Sequence, residues 1–182
     1  ITGLFILAHD IAQARTVAFS NMRYATATTL NQILSPMPVN PVCWEVILLQ
    51  AEGDRFVLRR AMLSLAPSWI PAALCPGRRL NDTTTVPLVE VADAGADYWQ
   101  WHGEYAMPRG HLSHLTATRC EVAAFMCFAR APCASMIDGQ WILGDMRYER
   151  ESELGFSEIA LAPHEKCPAH VPLWTPPLSV TP

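Results

Sequence analysis

Prolines divide this sequence more sharply than any other residue type. There are 15 of them, and they fall between the apolar segments rather than inside them. Proline has no amide hydrogen to donate and biases the preceding residue towards an extended conformation, so a cluster of prolines ends a regular element. The stretch SPMPVNPVCW, residues 35–44, is the clearest example. It predicts a stiff connection from an N-terminal helix to a first strand that is anchored by Trp44, with Asn40 closing a turn on its own backbone.

The residues before these prolines show helical spacing. Leu4, Leu7 and Ile11 recur three or four positions apart, with polar residues between them. We therefore predict a helix over residues 1–34, although its threonine-rich second half follows the pattern less closely. The apolar run over residues 1–8 is far shorter than the ~20 residues that span a bilayer. It is expected to be either the end of a membrane helix or the buried start of a helix.

After the prolines, the pattern changes to runs that are typical of strands. WEVILLQ and RFVLRR flank the short segment AEGD, which predicts a hairpin whose second strand exposes one face to water. A further strand is predicted around Trp99 and Trp101. The pair Asp138-Gly139 predicts a tight turn, followed by a central strand over QWILGDMRY and a last strand over residues 156–161.

The segment over residues 111–130 is predicted to be the main helix, because its end is apolar on all sides and must be buried. The chain is thus predicted to be an α+β protein with a largely antiparallel sheet of about five strands, packed against one long buried helix. We expect three parts: an N-terminal helix over residues 1–34, an α+β soluble domain over 35–161, and an extended proline-rich C-terminal tail over 162–182.

Charge and cysteine content narrow the possible classes of protein. The chain has 13 basic and 17 acidic residues without a basic patch, so a nucleic-acid partner is not expected. Its six cysteines show no regular spacing. Cys43, Cys120 and Cys127 lie in apolar runs, where a free thiol behaves as a small apolar group. These features predict reduced thiols in the core and a reducing compartment.

The segment GDMRY contains the first candidate site. Asp145 and Arg147 are two positions apart on a predicted strand and therefore point to the same face. Buried charges need partners, and Arg130, at the predicted end of the main helix, is the expected partner of Asp145. Two interpretations stay open: an ion-pair network that locks the helix to the sheet, or a catalytic or binding pocket formed by these three residues.

Histidines provide the second candidate site. His111 and His114 are three positions apart near the start of the main helix, where two imidazoles can share a metal. Zinc needs a third ligand, for which His102 and Glu104 are the candidates. A divalent metal is therefore a possible cofactor, while a polar first turn of a helix explains the same two residues without a metal.

Several segments together resemble a known family. SPMPVNPVCWEVI, a hairpin, FMCFARAP, ILGDMRYE and a closing FSEIAL follow one another in the order found in the bacterial membrane-bound metal-dependent hydrolase-like family. Its members are inner-membrane proteins, and some are described as binding the SOS repressor. The resemblance covers the family's downstream soluble region, over residues 1–161. It implies a C-terminal soluble domain that is attached to the inner membrane through an N-terminal region that is missing here. The reducing compartment predicted from the cysteines favours the cytoplasmic side for this domain.

Three functions are compatible with these observations. The resemblance implies an accessory domain that binds a ligand or a protein partner, because the metal motif of the family belongs to its N-terminal membrane region. The first alternative is a hydrolase in its own right, with Asp145 as acid or base and a metal bound by histidines. The second alternative is a pure protein-interaction module, in which PSWIP and the pair Trp99/Trp101 form an apolar contact patch.

Overall fold

The computed structural model describes residues 2–76, 88–89, 96–148 and 157–161. The regular elements are α1 (Thr2–Arg23), β1 (Thr28–Met37), β2 (Asn40–Glu52), β3 (Arg55–Ser64), β4 (Trp99–Pro108), α2 (Arg109–Thr118), α3 (Cys120–Phe125), β5 (Pro132–Ile137), β6 (Gln140–Asp145) and β7 (Glu158–Ala160). The α+β class, the antiparallel pairing and the N-terminal helix are confirmed. The predicted tail lies outside the described residues.

The strands form two sheets rather than the predicted single sheet of about five strands. One sheet has the order β1-β2-β3-β4, and the other has the order β5-β6-β7. All pairs of neighbouring strands are antiparallel. The predicted hairpin is β2–β3, the predicted tight turn at Asp138-Gly139 joins β5 to β6, and the predicted central strand is β6.

The N-terminal helix is shorter than predicted. It ends at Arg23, and the threonine-rich residues that follow form β1, which pairs with β2 along most of its length. Branched threonine side chains favour extended backbone, and pairing with β2 supplies the backbone with hydrogen bonds. Within the described part of the chain, none of the helices has both the length and the apolar character needed to cross a membrane.

The proline segment connects two strands instead of a helix and a strand. Pro36 lies in β1, an edge strand of its sheet, where a missing amide hydrogen is tolerated. Val39 in the following turn has a φ of 53°. The Asn40 side chain accepts a hydrogen bond from the Val42 amide at 2.9 Å, so the predicted turn is confirmed. The predicted anchor, Trp44, is only 2% exposed.

Helix α1 covers one face of the four-stranded sheet. Ala8 and Ala12 are buried, and their small side chains let the helix approach the strands closely. Phe19 stacks on Trp99 with ring centroids 4.3 Å apart. The strands contribute seven buried residues to this cluster: Trp44, Val46, Leu48, Ala61, Leu63, Trp99 and Trp101.

Helices α2 and α3 and the second sheet cover the opposite face. The buried cluster there joins Leu58 and Tyr105 of the first sheet to Val122 of α3 and Leu143 of β6. The prediction of one long helix over residues 111–130 is wrong. Arg119 has extended backbone angles (φ −126°, ψ 113°) and separates α2 from α3, so the chain can wrap around this cluster instead of crossing it in a straight line.

Two consecutive arginines on β3 point to opposite faces of the first sheet, and both are buried. On the α1 side, Arg59 donates to Gln50, to Glu52 at 2.8 Å and to Glu104 at 3.1 Å. Its guanidinium also lies 3.8 Å from the centre of the Tyr24 ring. The prediction that β3 exposes one face to water is therefore wrong, because ionic partners allow charged residues to be buried there.

The cysteine prediction is also wrong for part of the chain. Cys43 and Cys75 form a disulfide that ties the start of β2 to a short 3-10 turn at Ala72–Leu74. Cys120 is disulfide-bonded as well. Cys127 is a thiol, as predicted. The sequence did not reveal this pairing, because the two residues are 32 positions apart and meet only when the sheet has formed.

Candidate functional site

Asp145 lies at the end of β6, where its carboxylate is 1% exposed and fully engaged. It accepts a hydrogen bond from the Arg130 backbone amide at 2.8 Å and one from the Arg147 amide at 3.1 Å. The Arg147 guanidinium donates to it at 2.7 Å and also to the Phe128 carbonyl at 3.1 Å. The hydrogen bond to Asp145 raises the pKa of Arg147. This arrangement ties the segment after α3 to β6 and holds both charges in place.

Arg130 takes part in this cluster in a way that the sequence did not predict. The predicted contact was an ion pair between the Arg130 and Asp145 side chains. In the structure, the backbone amide of Arg130 binds Asp145, and its side chain is exposed. The three residues predicted to form a polar pocket are thus close together, but the contacts fit a structural clamp better than an open pocket, because the carboxylate has no oxygen left without a partner.

The three predicted metal ligands do not lie together. His111 is half-buried in the first turns of α2, His114 is exposed on the same helix, and His102 lies on β4 beside Arg60 and Glu45. In the described residues, no group of three or more histidine, cysteine, aspartate or glutamate side chains could hold a metal ion. Within the described residues, the two helix histidines thus have no third ligand of the kind that the prediction requires.

His102 lies at a bulge between β3 and β4, where Arg60 pairs with Gly103 and Ala61 pairs with Trp101. Burial, followed by the positive charge of Arg60, lowers the pKa of His102. Arg60 forms a buried ion pair with Glu45, whose Oε1 accepts from the Arg60 Nε at 2.6 Å. Nδ1 of His102 is buried without a hydrogen-bond partner. This imidazole is therefore kept neutral beside an existing ion pair.

The tryptophans of the predicted contact patch are mostly unavailable for contacts. Trp99 is 1% exposed and Trp101 is 5% exposed, because both pack against α1. Trp69 of PSWIP is different, with 84% of its surface exposed. The predicted apolar patch is thus reduced to a single exposed tryptophan from this set.

A cleft of about 480 Å³ lies between the two sheets at the start of α2. The end of β4 forms one wall and the β5–β6 hairpin forms the other. Pro108 ends β4 with extended angles and leads directly into α2, which brings His111 over the cleft. The lining residues are Tyr105, Ala106, Met107, Pro108, His111, Ala134, Ser135, Met136 and Trp141.

Two polar atoms of this cleft have no hydrogen-bond partner. They are Nε2 of His111 and Oγ of Ser135, and both are buried. Ser135 is only 7% exposed. The His111 ring packs against Trp141 with centroids 4.8 Å apart, which fixes the position of its nitrogen. An unpartnered buried polar group is unfavourable, so each of these atoms calls for a partner from outside the protein.

A third polar group of the cleft, the Tyr105 hydroxyl, is fully engaged. It donates to the Ala134 carbonyl at 2.7 Å and accepts from the Ala134 amide at 3.0 Å. Burial raises the pKa of Tyr105 to about 12. Tyr105 is therefore a neutral part of the wall that fastens β4 to β5, whereas His111 Nε2 and Ser135 Oγ have no hydrogen-bond partner among the described residues.

Of the cleft residues, the sequence predicted only His111, and for a different chemistry. Ser135 gave one weak signal, because it is a polar residue in the apolar run CASMI. Comparison of the chain with known protein families, with curated proteins and with solved structures finds no match.

Proposed function

We propose that this chain is the C-terminal soluble domain of a membrane-bound metal-dependent hydrolase-like protein, and that it serves there as an accessory ligand-binding domain. The family part of the proposal is supported by the order of the sequence segments that resemble the hydrolase-like family. The binding part is supported by the cleft between the two sheets. Attachment to the membrane and a protein partner are further parts of this proposal.

The observation that carries the binding function is the pair of unpartnered atoms, His111 Nε2 and Ser135 Oγ, in one cleft. Ligand sites commonly combine mostly apolar walls with a few polar groups that fix orientation, in volumes of roughly 300–1,000 Å³. The cleft has this composition and size. A ligand that supplies the missing hydrogen bonds gains binding energy from atoms that are otherwise unsatisfied.

The binding function is tested by screening small fragments against the ¹⁵N-labelled domain. We expect the binding fragments to shift the amide signals of Ser135 and Met136 and the indole signal of Trp141. The control is the same screen on Arg130→Ala, which changes an exposed side chain outside the cleft and should leave these shifts unchanged. Fragments that bind only elsewhere, or no binding fragment at all, would contradict the proposal.

The alternative of a hydrolase in its own right has less support from the geometry. A general acid or base must reach the substrate proton, and Asp145 is buried with its oxygens already engaged. Metal analysis of the purified protein tests the metal part. A stoichiometric metal that is lost in a His111→Ala, His114→Ala double variant would favour the hydrolase over the binding domain.

The side of the membrane is a separate part of the proposal. The prediction of reduced thiols favoured the cytoplasmic side, but the Cys43–Cys75 disulfide supports a compartment that is oxidising, since disulfides rarely persist in a reducing cytosol. We expect a maleimide to label Cys43 and Cys75 in freshly isolated protein only after reduction. Labelling of both cysteines without a reductant would instead support the cytoplasmic side.

A further inference from the structure

We infer that the ligand of the cleft is a small uncharged molecule with an apolar body and one hydroxyl or carbonyl head that bonds His111 and Ser135. This inference rests on the proposed binding function and adds the chemical class of the ligand. It follows from three features of the cleft: the character of its walls, the kind of its free polar atoms, and the absence of ionic side chains among its lining residues.

The walls of the cleft select an apolar body. Met107 and Met136 offer flexible, polarisable side chains, and Pro108 and Trp141 add rigid apolar surface. Met136 is 52% exposed and therefore lies at the open side, where its side chain can cover a ligand that has entered. An aromatic or short aliphatic body of drug-like or smaller size fits a volume of about 480 Å³.

The free polar atoms select the head group. An imidazole nitrogen and a serine hydroxyl can each donate or accept a hydrogen bond, depending on tautomer and rotamer. A ligand hydroxyl also does both, so it can donate to one of these atoms and accept from the other. A carbonyl oxygen can accept from both. Either head would satisfy the two buried atoms without adding a charge to the cleft.

The same lining disfavours an ionic head. Among the described residues that line the cleft, none is arginine, lysine, aspartate or glutamate. A carboxylate or phosphate would have to leave water for a mostly apolar cleft without an opposite charge beside it, which is strongly unfavourable. The arginine of the Asp145 cluster that is held by side-chain contacts, Arg147, lies outside this lining and donates to Asp145 and to the Phe128 carbonyl.

Three probes that share one body and differ in the head test this inference. They are 4-ethylphenol, 4-ethylbenzoate and ethylbenzene, titrated into the whole chain at pH 8 and followed by NMR. The phenol is neutral at this pH, because phenolic groups titrate near ~10. We expect 4-ethylphenol to bind at least about tenfold more tightly than either of the other probes, since two satisfied hydrogen bonds together contribute roughly that factor.

Two variants assign the effect to the head group. Ser135→Ala removes the hydroxyl, and His111→Phe keeps an aromatic ring against Trp141 while removing the nitrogen. Each should weaken 4-ethylphenol about three- to tenfold and leave ethylbenzene unchanged. Arg130→Ala is the matched control and should leave all three affinities unchanged.

The possible outcomes separate this inference from the proposed function. If the three probes bind the cleft of the unmodified chain with equal affinity, or if 4-ethylbenzoate binds best, the inferred ligand class is overturned while the binding function stands. If no probe and no fragment of the earlier screen binds the cleft, the binding function itself fails. The comparison of the three probes uses the unmodified chain, so it is valid even if a variant does not fold.

Discussion

The two ends of strand β6 handle polar groups in opposite ways. At its last residue, Asp145 is buried and every hydrogen bond of its carboxylate is completed by the protein. At its start, Trp141 borders a cleft in which His111 and Ser135 each keep a buried polar atom without a partner. The charged end is therefore closed by contacts within the protein, whereas the uncharged end keeps two buried polar atoms that have no partner in the described part of the chain. Charge alone is a poor guide to function in this chain.

The largest loss of stability is expected when the hydrogen bonds of Asp145, at the end of β6, are removed. Asp145→Ala removes the acceptor for two backbone amides and leaves Arg147 without its ionic partner. We expect the free energy of unfolding to fall by about 3 kcal/mol, as measured by urea titration. The control, Arg130→Ala, changes an exposed side chain and should stay within about 0.5 kcal/mol of the unmodified chain. Equal effects of the two substitutions would show that the clamp does not stabilise the fold.

A smaller loss of stability is expected when the Tyr105 hydroxyl, which makes two hydrogen bonds within the protein, is removed from the cleft wall. Tyr105→Phe removes the hydroxyl that donates to the Ala134 carbonyl and accepts from the Ala134 amide. Both backbone groups are buried and lose this partner. The expected loss is about 1–2 kcal/mol in the free energy of unfolding. Thermal unfolding of the two proteins side by side measures it. A loss below about 0.5 kcal/mol would mean that the cleft wall does not depend on this contact.

Ser135→Ala is the matched substitution of a hydroxyl that has no partner. Because the serine hydroxyl is buried without a hydrogen bond, its removal should leave the free energy of unfolding within about 0.5 kcal/mol of the original, or raise it slightly. The same urea titration measures this. A clear loss of stability would show that Ser135 already has a partner, such as a bound water, and would weaken the contrast between the two ends of β6.

The smallest effect on stability is expected at His102. Its Nδ1, like the Nε2 of His111, is buried without a hydrogen-bond partner in the described residues. The His102 ring faces an ion pair, whereas His111 lines the cleft. Burial and Arg60 lower the pKa of His102 below the ordinary ~6.5, so the unfolded chain binds a proton more readily than the folded chain does. The stabilising contribution of the neutral ring is therefore complete above pH ~6.5 and is lost as the pH falls through the folded-state pKa.

Unfolding measured at several pH values tests this effect. The unmodified chain should lose stability more steeply below pH ~6.5 than His102→Gln, which cannot take up a proton. Glu45 is the neighbouring charged group against which the effect of His102 is compared, because its ion pair with Arg60 faces the same ring. Identical slopes for the two proteins would show that His102 does not contribute to the pH dependence of stability.

Local sequence patterns predicted the parts of this fold that depend on local chemistry. The β2–β3 hairpin, the Asn40 turn and the β5–β6 turn follow from neighbouring residues. The end of α1 could not be predicted, because pairing with β2 decides whether the threonine-rich segment is a strand. The break at Arg119 depends in the same way on the buried cluster that the two helices surround.

The candidate site was harder to predict than the fold. Asp145, Arg147 and Arg130 were chosen for their charge, but the sequence could not show that Asp145 is buried and bound by the Arg147 guanidinium and the Arg130 backbone amide, while the Arg130 side chain is exposed. The histidines were chosen as metal ligands, and only tertiary structure shows that His102 faces Arg60 while His111 faces a cleft. Ser135 becomes notable only when β5 and α2 are seen side by side, because its free hydroxyl gives no signal in a sequence.

The consecutive arginines of β3 have a consequence for the fidelity of folding. Arg59 and Arg60 face opposite sides of the sheet, each towards its own acidic partners. If β3 slipped by one residue against β2, each guanidinium would move to the wrong side and lose those partners, which a buried charge tolerates poorly. Apolar residues such as those along β2 would accept several alignments almost equally well. The arginine pair thus selects one alignment of the two strands and rejects its nearest competitors.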